Sequence, residues 1–342
     1  MKSAELRSET TKNEVDLRTG LPYANLIRNH GRFASVIADH FGVDSSHVLP
    51  TYGATGAIEA VRNHIFRTAR KLNPVMLTVS PGYWRARESF QGFGFTVVAV
   101  ETEPAGFEIK EPVLIRKARE IQPDVVYLSL PNNPTGARFD PAAVLNGMPE
   151  NTAVVFDLTL PSRQIDVPNL TNELCSDFRG RKLFIVASTS KSHHTAEYRI
   201  GWAVSASSED ATELAKENRN VVSSVSVEQA LAAIRREPPA LALIEESFAL
   251  LKNAAGNEGF QLVEPPRRAE SSYLLVRLSC DLDELRELLE HLGIGVMWGS
   301  ELGLGREYVR LEVSEPENVR AFLNAITRIT TKVRPGLGAH PE

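Results

Sequence analysis

From residue 75 onward the chain alternates short apolar runs with amphipathic stretches, and this alternation limits the possible folds more than any other feature. The runs 75–79, 95–100, 125–130, 152–156 and 183–187 are strand-length and rich in β-branched and aromatic residues. Strands that are apolar along their whole length are buried on both faces. With helical stretches between them, they predict an α/β fold built on a mostly parallel sheet wrapped by helices. The polar residues suited to chemistry follow the C-terminal ends of these runs, where open α/β sheets bind ligands.

The flanking segments fill out the plan. Residues 1–20 read as a polar arm, and residues 21–41 carry Leu26, Ile27, Phe33, Val36, Ile37 and Phe41 at helical spacing, with Gly42 as a stop. An extended piece then enters Gly53-Ala54-Thr55-Gly56, followed by a helix with Ile58, Val61 and Ile65 on one face. Glycines there permit close backbone approach, and amides at a helix N-terminus attract anions. Helical patterns over 210–255 are broken at Glu237-Pro238-Pro239. Beyond the break, strands at 273–278 and 308–313 and helices at 282–292 and 317–332 predict a small α+β domain. The expected division is 1–40 as arm and helix belonging with the small domain, 41–238 as the large domain, and 239–342 as the small one. The tail 333–342 holds Pro and Gly and is expected to fray.

Composition removes several function classes. A net charge of −5 over 342 residues gives no electrostatic case for nucleic acid. No run approaches the ~18 apolar residues of a membrane span. The polar N-terminus lacks the apolar core of a secretory signal. Cys175 and Cys280 are far apart without metal-ligand spacing, which fits a reducing cytoplasm.

After the run 183–187 comes Ser188-Thr189-Ser190-Lys191, a lysine in a hydroxyl-rich turn, with Arg199 eight residues on. A lysine desolvated beside a fixed cation loses its proton more readily, and its free amine can form a Schiff base with an aldehyde. Ser188 and Ser190 can hydrogen-bond an anion beside it. Taken alone, the S-x-S-K pattern also suits an ordinary loop.

The full series is more specific. Gly53-Ala54-Thr55-Gly56-Ala57, Pro81-Gly82-Tyr83, Pro131-Asn132-Asn133-Pro134-Thr135-Gly136, Asp157, Ser188-x-x-Lys191 and Arg199-Ile200-Gly201 occur in the order found in class I/II aminotransferases. Over residues 23–330 the chain resembles a fold type I pyridoxal-phosphate enzyme, with the compact size of the histidinol-phosphate aminotransferase branch. The resemblance implies a seven-stranded large-domain sheet and pyridoxal 5′-phosphate as cofactor. It implies Lys191 as the residue forming the internal aldimine and shuttling the Cα proton, and Asp157 as partner of the pyridinium nitrogen. Tyr83 would stack on the ring and Asn133 would contact its 3-oxygen and the substrate. Ala54, Thr55, Ser188, Ser190 and Arg199 would hold the phosphate. Arg310 would clamp the substrate α-carboxylate, its planar fork matching a carboxylate. Tyr23 stands where relatives place a tyrosine reaching the partner subunit's phosphate, which implies a homodimer with shared sites. The implied reaction passes an amino group from an α-amino acid to a 2-oxo acid.

Three departures bear on the reaction. The family commonly has Asp-x-x-Tyr, whereas here the segment is Asp157-Leu158-Thr159-Leu160, and Leu160 cannot donate to the ring 3-oxygen. The arm before Tyr23 is short, and Glu270-Ser271-Ser272-Tyr273 replaces a glycine-rich segment. A decarboxylase, oxidase or cyclase on the same scaffold is therefore the alternative to a transaminase. A non-catalytic binding protein is the competing class, disfavoured because Lys191, Asp157 and Arg199 are all present. Whether His193 and His194 face substrate or solvent is open at this stage.

Overall fold

The computed structural model describes residues 21–69, 71–218, 222–255 and 259–332, with side chains for residues 30–331 of those ranges. The polar arm 1–20 and the tail 333–342 lie outside the described residues. The first helix, α1 (Leu21–Phe41), leads to β1 (Val48–Tyr52) and α2 (Gly53–Thr68). Then follow β2 (Val75–Ser80), α3 (Trp84–Gly92), β3 (Thr96–Glu101), α4 (Glu111–Ile121), β4 (Val125–Ser129), α5 (Pro141–Gly147), β5 (Ala153–Asp157) and α6 (Val167–Asp177). Next come β6 (Leu183–Ser188), the single turn α7 (Thr189–Ser192), β7 (Ile200–Ser205), α8 (Ser208–Glu217) and α9 (Ser224–Ile234).

Seven strands form one sheet in the order β1-β7-β6-β5-β4-β2-β3. The pairs β6–β5, β5–β4, β4–β2 and β2–β3 are parallel, while β7 runs antiparallel to both β6 and β1. Strands β4 to β7 are buried at every residue, which explains their continuous apolar character. Separate apolar cores cover the two faces, one containing Leu77, Phe156 and Trp202, the other Ile58, Tyr127 and Phe184.

The second unit begins after Glu237-Pro238-Pro239. It comprises α10 (Ala240–Ala254), β8 (Phe260–Leu262), β9 (Tyr273–Leu278), α11 (Leu282–His291), β10 (Met297–Trp298), the turn α12 (Gly299–Leu302), β11 (Tyr308–Glu312) and α13 (Pro316–Lys332). Its four strands form an antiparallel sheet in the order β10-β11-β9-β8, with a core of its own around Phe248, Phe260, Leu285 and Phe322.

Helix α1 departs from the expected division. Phe33, Ile37 and Phe41 join the large-sheet core, and Phe33 and Phe41 pack their rings against Trp202 with centroids 6.0 and 5.7 Å away. By its packing α1 belongs with the large domain. The spacing of its apolar residues specified that it has a buried face, but not which core receives it.

Candidate active site

The antiparallel direction of β7 organises one edge of the sheet. Because β7 runs backward, its N-terminal end lies beside the C-terminal ends of β6 and β1: Gly201 pairs with Ser188, and Ile200 with Tyr52. In sheet order, this edge carries Gly53 after β1, Arg199 before β7, Ser188 and Lys191 at β6, Asp157 at β5, Asn133 after β4 and Tyr83 after β2. The six chain segments thus line one edge of the sheet in neighbouring positions.

At the β1–β7 end, two glycines are required by contact. A Cβ on Gly201 would lie 2.4 Å from the carbonyl carbon of Gly53 and 2.6 Å from the nitrogen of Ala54. β7 therefore passes directly beneath the first turn of α2. Gly53 has φ +66°, and a Cβ there would meet Nη2 of Arg199 at 2.9 Å. Arg199 itself adopts φ +52°, a left-handed conformation rare for a side-chain-bearing residue, and its Nη1 donates to the Ala196 carbonyl at 3.1 Å. The result places a guanidinium at the N-terminus of the 16-residue α2, whose first amides, including those of Ala54 and Thr55, lack intrahelical partners. Tyr52 adds its ring 5.1 Å from the Arg199 guanidinium.

The lysine turn α7 is capped by Ser188, whose Oγ accepts from the Ser190 amide at 3.4 Å. Thr195 ties the returning chain down by donating to the Thr189 carbonyl at 2.9 Å. Lys191 is half-buried, and its Nζ lies 5.1 Å from the centre of the Tyr273 ring. His193 lines a cavity with Phe41, Leu158, Trp202 and Pro238, and His194 is exposed.

Asp157 is 6% exposed. Its Oδ1 accepts from the Thr159 amide at 3.0 Å and its Oδ2 from the hydroxyl of Tyr127 at 2.6 Å. Desolvation pushes its carboxyl above the usual range, against the pull of those donors, and no cation among the described residues pairs with it. Tyr83 enters from the tight turn after β2, where a Cβ on Gly82 would stand 2.6 Å from the Val79 carbonyl oxygen. Burial first, and then the Asp157 charge, push the Tyr83 phenol up to about 12, so it stays neutral.

Asn133 is held by its amide donating to Ser129 Oγ at 3.1 Å, while Asn132 braces the turn through Pro81 and Thr135. The Oδ1 of Asn133 accepts from Nη1 of Arg310 at 3.2 Å. Arg310 projects from β11 and stacks on Tyr273, 4.1 Å from ring centre, with no carboxylate partner among the described residues. Desolvation lowers its pKa, yet a guanidinium stays charged.

The structure thus ranges Ala54, Thr55, Tyr83, Asn133, Asp157, Ser188, Ser190, Lys191 and Arg199 along one edge of the large sheet, and the bond to Asn133 and the shared Tyr273 ring bring Arg310 to the same edge. Tyr23 is in the first turn of α1, and its side chain lies outside the described part. Leu160 is buried. Two residues not anticipated from sequence join them: Tyr127, and Tyr273 between Lys191 and Arg310. Strand parity carried a signal for the latter, because Arg310 pairs with Leu275 and so shares a face with Tyr273, two residues away.

A lysine, a buried unpaired carboxylate and an arginine at a helix N-terminus, ranged along one edge of this seven-stranded sheet, define a pyridoxal-phosphate enzyme of fold type I. The residues present fit that cofactor: Asp157 lacks a cation that a protonated ring nitrogen supplies, and Arg199 with the α2 amides lacks an anion. The chain belongs to the aminotransferase class I and II family, whose profile matches residues 23–326. It is 22% identical over 303 residues to the chloroplastic histidinol-phosphate aminotransferase of Nicotiana plumbaginifolia, covering 85% of this chain and 69% of that one. Its fold matches the histidinol-phosphate aminotransferase of Clostridium acetobutylicum with a TM-score of 0.75 at 17% identity, covering 91% and 94% of the two chains. The L-threonine-O-3-phosphate decarboxylase of Porphyromonas gingivalis also shares the fold, with a TM-score of 0.67 at 20% identity over 92% and 93%. Among the described residues no helix is long and apolar enough to cross a membrane.

Proposed function

We propose that this pyridoxal-phosphate-dependent aminotransferase takes an α-amino acid as donor and a 2-oxo acid as acceptor, with Lys191 as the cofactor-binding and proton-carrying residue. The observation that carries this reading is the Arg310 guanidinium, half-buried, without an acid partner among the described residues, and joined to Lys191 through the ring of Tyr273. A desolvated cation without a counter-charge is costly, and a substrate carboxylate supplies the missing partner. Bound pyridoxal phosphate provides an electron sink for the pair of electrons left when the Cα proton departs. Arg310 orients the amino acid with its Cα toward Lys191, whose amine takes the proton and returns it on the cofactor side. With the cofactor bound, Asp157 would hold the ring nitrogen protonated, Tyr83 would stack on the ring, and Asn133, which accepts from Arg310, would contact the ring's 3-oxygen. Arg199, Ser188, Ser190, Ala54 and Thr55 bind the phosphate, and Tyr23 reaches the phosphate of a partner subunit in a homodimer. Two free cysteines, Cys175 buried and Cys280 partly so, suit a reducing cytoplasm.

A decarboxylase is the second reading, supported by Leu160 in place of the usual tyrosine and by the decarboxylase that shares the fold. Incubating the holoenzyme with a panel of amino acids and 2-oxo acids distinguishes the two. Transamination yields a new amino acid and a 2-oxo acid in equal amounts; carbon dioxide and an amine as the products overturn it.

A further inference from the structure

We propose that Tyr127 is a positioning residue that keeps a proton on the cofactor's ring nitrogen by weakening the basicity of Asp157. This rests on the assignment of Asp157 as the ring partner made above. Tyr127 sits in the middle of β4, 1% exposed, with its ring packed against Phe90 at 6.5 Å between centroids. Phenylalanine would fill that packing role equally well. The hydroxyl is what distinguishes this residue, and it reaches across to the neighbouring strand to donate to Asp157 Oδ2 at 2.6 Å. Ser129 is the residue paired with Asp157 in the β4–β5 ladder, so Tyr127, two residues earlier, shares its face.

The charge balance at Asp157 gives that hydroxyl its importance. The titratable groups facing the carboxylate are Tyr127 from β4, which donates to it, and Tyr83 from the turn after β2, which makes no hydrogen bond with it; burial holds both phenols above their usual range. From its own segment the carboxylate receives the Thr159 amide, and the Thr159 hydroxyl, buried without another hydrogen-bond partner, also lowers its carboxyl pKa alongside Tyr127. Desolvation makes a buried carboxylate more basic, and a carboxylate more basic than the ring nitrogen would take the shared proton for itself. The ring would then be neutral and a poorer electron sink. A short hydrogen bond from Tyr127 draws charge from Oδ2 and opposes that transfer. In a chain with Leu160 where relatives carry a tyrosine, this shifts electronic control from the ring's oxygen side to its nitrogen side.

The test is ¹⁵N NMR of the holoenzyme loaded with ring-¹⁵N pyridoxal phosphate, comparing wild type, Tyr127→Phe and Asp157→Asn. Tyr127→Phe is expected to move the resonance toward the deprotonated value, in the direction of Asp157→Asn but less far. Its cofactor affinity should fall about 10- to 100-fold, the scale of one hydrogen bond to a charged group. Incorporating 3-fluorotyrosine at position 127 keeps the packing and strengthens the donor, so the resonance should move the opposite way; this variant decides the matter if Tyr127→Phe does not fold. An unchanged resonance in both variants, with cofactor bound, overturns the role of Tyr127. A wild-type resonance insensitive to Asp157→Asn overturns instead the assignment of Asp157 on which it rests.

Discussion

Nη1 of Arg310, on the small antiparallel sheet, donates to Oδ1 of Asn133, in the loop at the end of β4, across 3.2 Å. This bond joins the two units, and Tyr273, on which Arg310 stacks, also lies 5.1 Å from the Lys191 amine. The bond leaves the remaining guanidinium donors without an acid partner among the described residues.

Arg310→Lys therefore keeps a cation but loses both the planar fork and the stacking on Tyr273. The loss should be about 1.5–3 kcal/mol, roughly 10- to 100-fold in KM for the amino acid, with the cofactor spectrum unchanged. The corresponding amine, lacking a carboxylate, should bind wild type and variant alike. Steady-state kinetics with the amino-acid and amine pair check this, and equal KM values for the amino acid in both proteins place its carboxylate elsewhere.

Gly201→Ala tests the phosphate end without touching a charged group. The added methyl would lie 2.4 Å from Gly53, so β7 and the first turn of α2 must separate. Stability should drop on the order of 1–3 kcal/mol, as for other overpacked sites. Cofactor affinity should fall by ~10-fold or more, because the amides and Arg199 no longer converge. Equilibrium dialysis with pyridoxal phosphate reads the second effect independently of thermal melting. A variant with normal affinity and lowered melting temperature means the close approach serves only packing.

Asp157→Asn should slow turnover by roughly 10²-fold or more while stabilising the cofactor-free protein at neutral pH. The sign follows from the raised carboxyl pKa in the folded chain. Between the unfolded and folded pKa values the folded state binds more protons than the unfolded one, so stability falls as pH rises through that window. Above it the desolvation cost is fully present; below the unfolded value both states are protonated and the cost is gone. Melting temperatures of the apo variant should exceed wild type near pH 7.5 and converge with it as pH falls toward 4. A variant melting below wild type across that range contradicts the electrostatic reading of this carboxylate.

Much of this arrangement was legible in the chain itself. β2, β4, β5 and β6 announce themselves because both faces are covered, so their runs are apolar almost throughout, Thr78 in β2 being a buried exception. The motif residues follow those runs, so the site could be placed at one sheet edge before any coordinates. β7 escaped because Ile200–Ser205 follows directly on the Arg199 motif and contains Gly201, which weakens a strand pattern. Its antiparallel direction, which brings Arg199 to the site, depends on pairing with β1 some 150 residues earlier. Tyr127 looked like core because its ring is core; the hydroxyl's partner lies on the next strand, 30 residues away. Tyr273 was read as the start of a strand, since nothing local shows that Lys191 and Arg310 meet over its ring. Sequence periodicity identifies faces, and only the assembled sheet shows what each face meets.

The most direct measurement concerns Lys191. The holoenzyme is reduced with borohydride, digested, and mapped by mass spectrometry for the pyridoxyl group. The account predicts a single adduct, on the peptide carrying Lys191, and no adduct in Lys191→Ala although that variant still binds the cofactor reversibly. An adduct on another lysine, or none in wild type with the cofactor demonstrably bound, would contradict it.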